Sequence, residues 1–276
     1  MIPLGIERLG LFGMPPAEMA ALAADLGCDS IGIGLAPTPG YNPDRHPDWS
    51  LRDDSALRRA TIAACHRHGI AIGLVEGFAV LPGKDMRDFA GDLDIVAELG
   101  CNRVNVVSIG KDMRRAIDGF GLLAELAAAR GLLVSAELGS LGPIDRVAPA
   151  LEIVRAVGMA NFSLLIDTMH FFRLGNTLAD FAALDPALVG YVQLADVPWA
   201  PRFDSYMEEA MYERMAPGDG ELPLAEFVQL VPDGVTVSLE IPIRSLAEAG
   251  AGPRERTQRC VDGARRLLAG RHAGMR

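Results

Sequence analysis

Four apolar runs in the second half of the chain each end on an oxygen-bearing side chain: Glu137 in VSAELG, Asp167 in LLIDTMH, Gln193 in YVQLAD and Glu240 in VSLEIP. Any one of them alone reads as a strand-end residue that caps a helix or pairs with an arginine. At equivalent positions on consecutive strands, they put three carboxylates and one amide oxygen into a small volume. Mutual repulsion then raises the carboxylate pKa values unless a cation sits between them. An all-oxygen set is hard, so it suits Mn²⁺ or Mg²⁺, with Co²⁺ as a substitute, rather than the His- and Cys-rich surroundings of a zinc centre.

His170 follows Asp167 by three positions in LLIDTMHFF. Strict strand alternation would send it to the opposite face, so it joins the cluster only where the strand has ended and the chain turns inward. There, a neutral imidazole beside a polarised carbonyl is placed to act as a general base or to donate a hydrogen bond to substrate. Arginines follow the same strands: Arg173, Arg202, Arg214 and Arg244 each offer a bidentate clamp for a carboxylate or phosphate. Glu76, ending an apolar run in LVEGF, and the aromatics Phe78, Trp199 and Tyr206 are placed to line a pocket, although packing alone accounts for Phe78 and Trp199.

For these side chains to meet, the runs that carry them must be parallel strands ending on one face. The chain has that rhythm from its first residues. Leu4 to Phe12 is followed by PPAEMAALAADLG, where a proline pair opens a helix and Gly27 closes it. CDSIGIGL precedes a helix over Ser55 to His68, IAIGLVEGF one over Asp85 to Leu99, and NRVNVVSIG one over Arg114 to Arg130. LLVSAELG leads to Ile144 to Val157, FSLLIDTMH to Thr177 to Leu184, LVGYVQLAD to helical stretches ending near Leu230, and VTVSLEIP to Arg254 to Leu268. Glycine closes many of these helices, as in ADLG, RHG, AELG, ARG and AVG, which supplies the left-handed stop a helix needs before reversing.

Eight strand and helix pairs imply parallel strands with crossover helices, and a closed (β/α)8 TIM barrel is the economical arrangement. A doubly wound open sheet is the alternative, but no G-x-G-x-x-G follows the first strand. The 276 residues suit one barrel domain over 1–276, since a TIM barrel takes about 250 residues. Its lumen is expected to be apolar, with polar residues only at the strand C-termini, where barrel active sites lie. The longest irregular stretches, APTPGYNPDRHPDWSLRDD and DVPWAPRFDSYMEEAMYERMAPGDGELP, follow strands two and seven on that face and are candidate lids or substrate loops.

Half the residues are apolar and 22% charged, the profile of a chain with a large core. A formal net charge of -10 would repel nucleic-acid phosphates and anionic lipid surfaces, so a small molecule is the fitting partner. Cys28, Cys65, Cys101 and Cys260 are far apart, as buried thiols of a reducing compartment would be, which places the chain in the cytoplasm. The start, MIPLGIERLG, carries charges where a signal peptide would be apolar, and no run of about 18 apolar residues occurs, so the chain reads as soluble and unprocessed.

With its eight-unit rhythm and its strand-end residues, the chain resembles the xylose isomerase-like, or sugar phosphate isomerase/epimerase, TIM-barrel superfamily. In that superfamily the four strand-end ligands are commonly Glu, Asp, His and Glu around a divalent metal that polarises a hydroxy-carbonyl substrate. Glu137, Asp167 and Glu240 match, and Gln193 stands where His is commoner. VQLAD, PGDGELPL, SLEI, VDGARRLL and DTMHFFRLG are similar to the 3-dehydroshikimate dehydratase branch, which uses Gln as third ligand and a histidine three after the Asp. The strand-three signature of that branch is missing, and LGSLGPIDR after Glu137 lacks its aromatic and basic residues.

The resemblance implies metal-assisted enolisation of a hydroxy-ketone, tilted toward dehydration of a 3-dehydroshikimate- or inosose-like substrate with His170 as the single base. The alternative is a sugar (phosphate) isomerase or epimerase using Glu137 and Glu240 as opposed acid and base. More remote is a non-catalytic sugar-binding or accessory barrel. Arg214, just before PGDGELPL, is the first choice among the substrate arginines. Homodimers or homotetramers are usual for such proteins. An abasic-site endonuclease of the same fold would need three zinc ions and a histidine-rich mouth, whereas this chain is acidic and has five histidines in all.

Overall fold

The computed structural model describes residues 2–273. Eight parallel strands close into a barrel in sequence order: β1 Leu4–Glu7, β2 Ser30–Gly34, β3 Ala71–Val80, β4 Arg103–Ser108, β5 Leu133–Glu137, β6 Phe162–Asp167, β7 Val189–Leu194 and β8 Val237–Leu239. The helices are α1 Pro16–Asp25, α2 Ser55–His68, α3 Ala90–Glu98, α4 Met113–Ala128, α5 Val147–Val157, α6 Thr168–Arg173, α7 Leu178–Ala182, α8 Tyr206–Tyr212, α9 Leu224–Leu230, α10 Arg244–Glu248 and α11 Pro253–Ala273. No helix among the described residues is long and apolar enough to cross a membrane.

The local chemistry accounts for the element boundaries. Asp54 and Asp112 accept backbone N–H groups at the starts of α2 and α4, which satisfies donors that have no intrahelical partner. Gly69 and Gly158 close α2 and α5 at φ 67° and 61°, a conformation only glycine adopts without cost. Between barrel and helices lies one continuous apolar core that takes in Ile31, Val104, Phe120 and Ile166.

The lumen departs from the expected apolar filling. At its lower end Arg103 donates to the hydroxyls of Ser135 (2.8 Å) and Ser163 (3.1 Å). Above them Leu74, Leu165 and Tyr191 form a small apolar layer separate from the main core. In the same region the Tyr191 hydroxyl donates to Oε1 of buried Glu7 at 2.8 Å. This carboxyl fits only because residue 32 is glycine: a Cβ there would lie 1.5 Å from Glu7 Oε2. Polar side chains and one small apolar layer thus fill the barrel, and the site sits on top of them.

Candidate active site

Strand alternation carries the lumen-facing positions upward to the C-terminal ends. Asp167 and Gln193 are register partners on β6 and β7, and both are completely buried. Asp167 ends β6 and caps α6, its Oδ1 accepting the His170 backbone N–H at 3.0 Å. That immediate helix was not foreseen, and it resolves the placement of His170. The strand stops at Asp167, and one helical turn brings the imidazole back, its Nε2 3.4 Å from Glu137 Oε1. One ligand atom each from Glu137, Asp167 and His170 lie within 4.8 Å of one another.

Around this group the neighbouring strands supply partners. Glu137 Oε2 accepts from Asn105 on β4 at 2.7 Å. The Gln193 amide donates to Glu76 Oε1 at 3.0 Å, while its Oε1 is buried with no partner among the described residues. Glu76 Oε2 accepts from Arg8 Nε at 2.9 Å. Tyr206, on α8 of the long segment after β7, contacts His170 Nδ1 at 2.5 Å through its hydroxyl and stacks on the ring. A cavity of about 70 Å³ opens beside Glu137 and His170, walled by Ser108, Ser140, Leu141, Tyr206 and Met211.

The electrostatics follow from burial and crowding. Burial, with the Asp167 charge adding to it, pushes Glu137 up to about 8. Glu240 is also raised well above the carboxylate range, by burial first. Burial acts upward on Asp167 too, but the Arg214 guanidinium, together with His170 and the backbone N–H that it donates, holds this carboxyl low. Burial pushes His170 down to about 4, so the imidazole is neutral at pH 7.

Of the four residues expected to meet substrate, three are engaged by the protein's own groups. Arg214 is 1% exposed and its guanidinium is taken up inside the protein, by the Asp167 and Glu240 carboxylates (3.0 Å to Glu240 Oε2) and by the Ala210 carbonyl at 2.8 Å. Its bidentate geometry is used on the protein's own acids. Arg173 grips Glu209 through two bonds of 2.8 Å and holds the Trp199 carbonyl, so it ties α6 to the segment after β7. Arg202 is exposed and lies over the Phe203 ring. Both Glu76 oxygens are engaged, by Gln193 and Arg8.

Of the aromatics, Phe78 packs on Phe89 and Trp199 is 53% exposed, so Tyr206 alone lines the cavity. Asn105 and Arg8 were missed. Their signal was a polar residue within a strand, NRVNVV, and a charge directly after one, GIER.

The family model described as the xylose isomerase-like TIM barrel matches residues 20–267. A curated 3-dehydroshikimate dehydratase of Pseudomonas aeruginosa is 28% identical over 278 residues, covering 95% of this chain and 41% of that protein. The chain therefore spans about two fifths of the length of this relative. A solved xylose isomerase-like TIM barrel/4-hydroxyphenylpyruvate dioxygenase fusion protein is similar with a TM-score of 0.74 and 24% identity, over 96% of this chain and 42% of that one. The structure of an IolI protein with a bound zinc atom has a TM-score of 0.77 at 18% identity, over 97% and 98% of the two chains. The closed eight-strand barrel and the match over most of its length place the chain in the xylose isomerase-like TIM-barrel family.

Proposed function

We propose that the chain is a divalent-metal-dependent lyase that enolises a hydroxy-ketone and then eliminates water from it. The observation that carries this reading is the buried, unpartnered Oε1 of Gln193, the register partner of Asp167 at the strand ends. A buried acceptor without a donor costs about 1–3 kcal/mol unless something fills the role. Charge points the same way: Arg214 pairs with Asp167 and Glu240, Glu137 lies close to Asp167, and one guanidinium leaves two negative charges when all three carboxyls are ionised. Glu137 is pushed up by burial first and by the Asp167 charge second. Glu137, Asp167, Gln193 and Glu240 would hold Mn²⁺ or Mg²⁺, with His170 at the rim. Such an ion supplies Lewis-acid polarisation of a substrate carbonyl, worth several kcal/mol in the enolate-forming step.

The chain's own groups handle the proton. When His170 donates Nδ1–H to the Tyr206 oxygen, its Nε2 presents a lone pair toward Glu137 and the cavity. That nitrogen takes the proton next to the carbonyl and returns it to the β-hydroxyl, which leaves as water while the new C=C bond forms. The epimerase alternative needs two free, opposed carboxylates. Glu240 is bound to Arg214, whereas Glu137 faces His170, and this favours the one-base elimination.

The test is product identification by NMR after incubating Mn²⁺-loaded protein with ketoses, inososes and 3-dehydroshikimate. New vinyl signals with loss of one water support the lyase; inverted or rearranged skeletons with no vinyl signal would replace it by the isomerase or epimerase.

A further inference from the structure

Gln193 differs from a carboxylate in one respect that the site must manage: an amide has an oxygen at one end and an NH₂ at the other. Flipped, it would turn two N–H donors toward the acids and toward any cation among them. We propose that Glu76 and Arg8 are positioning residues that fix the Gln193 amide with its oxygen as the free end, and this rests on the metal-site reading above.

The geometry supports a relay of one-way hydrogen bonds. Glu76 Oε1 can only accept, and it takes the Gln193 NH₂ at 3.0 Å. A guanidinium can only donate, and Arg8 Nε donates to the other Glu76 oxygen at 2.9 Å. Arg8 is itself fixed, its Nη1 donating to Thr38 Oγ1 at 3.0 Å and to the Ala36 carbonyl at 3.4 Å, both in the segment after β2. The local backbone serves the same end. Leu74 belongs to the lumen layer, so alternation places Glu76 in the lumen two residues on. The β3–β4 register then shifts between Val75 and Phe78 with Gly77 at φ 108°, and Phe78 packs outward on Phe89. The irregularity lets one strand serve the site with Glu76 and the outer core with Phe78.

The relay predicts a rescue that a merely structural glutamate would not show. In Glu76→Gln one end of the introduced amide must oppose either Arg8 or Gln193, donor against donor. In the double variant Glu76→Gln with Gln193→Glu, the oxygen of the amide introduced at position 76 accepts from Arg8. Its NH₂ then donates to the carboxylate introduced at position 193, which keeps one oxygen free.

The experiment is Mn²⁺ binding to the purified full chain by EPR titration, with the Co²⁺ absorption spectrum as a report on coordination. Glu76→Gln should bind Mn²⁺ about 10–100-fold more weakly with an altered Co²⁺ spectrum, and the double variant should regain most of that loss. Arg8→Lys should show a smaller loss. A Glu76→Gln protein that binds like the wild type, or a double variant that regains nothing, overturns the positioning role. A wild type that takes up no Mn²⁺, or a Glu137→Gln variant that binds it equally well, overturns the metal site and the relay with it.

Discussion

Replacing Glu7 by glutamine should remove a large part of the protein's stability loss with rising pH. Glu7 is 1% exposed, bonded to Tyr191 through one oxygen and unpartnered at the other. Burial, helped by the charge of Glu76, pushes its pKa from 4.5 up to about 8. Between those values the folded chain keeps a proton that the unfolded chain has released, so stability falls as pH rises, by about 1.4 kcal/mol per pH unit. From about pH 5.5 to 7.5 the wild type should lose roughly 2.7 kcal/mol relative to Glu7→Gln, whose amide does not titrate. Glu137 and Glu240 also titrate, but they are present in both proteins and cancel in the difference. The assay is urea unfolding at several pH values with a chelator present, followed by tryptophan fluorescence and circular dichroism. Parallel curves for the two proteins would refute the reasoning, since they would mean that Glu7 is ionised inside the barrel.

Other expectations test the site and its supports. His170→Gln should lower kcat by about 10²–10⁴-fold while Mn²⁺ affinity stays at the wild-type value; a parallel loss of metal would make His170 a ligand rather than the base. Arg173→Met leaves the buried Glu209 carboxylate unpaired and should cost about 3–5 kcal/mol, against less than about 0.5 kcal/mol for exposed Arg202→Ala, read from denaturant midpoints. Gly32→Ala puts a methyl group on Glu7 Oε2 and should destabilise by about 1–3 kcal/mol, seen as a lower Tm.

The eight-unit order and the helix stops were legible because they depend on local signals: apolar runs and glycines at positive φ. The strand-end acids were legible for the same reason, as each interrupts an apolar run. What escaped was tertiary. Arg214 and Arg173 read as substrate clamps because nothing local distinguishes an arginine that meets a ligand from one that meets Asp167 or Glu209. α6 escaped because DTMHFFR carries the apolar density of a strand, and only the Asp167 side chain on the His170 N–H shows that the helix begins there. Glu7 and Arg8 were read only as charges unsuited to a signal peptide, although they are a buried lumen carboxyl and a support of the site.

The cluster, loaded with a divalent ion, is proposed above all to remove a proton next to a carbonyl. Deuterium uptake from D₂O at the carbon beside the carbonyl, followed by ¹H NMR over the hydroxy-ketone panel, tests this most directly. Uptake should depend on added Mn²⁺, stop with chelator and fall steeply in Glu240→Gln and His170→Gln. Metal-loaded, folded protein that exchanges no proton from any of these substrates would contradict the proposal and leave a barrel that binds without turning over.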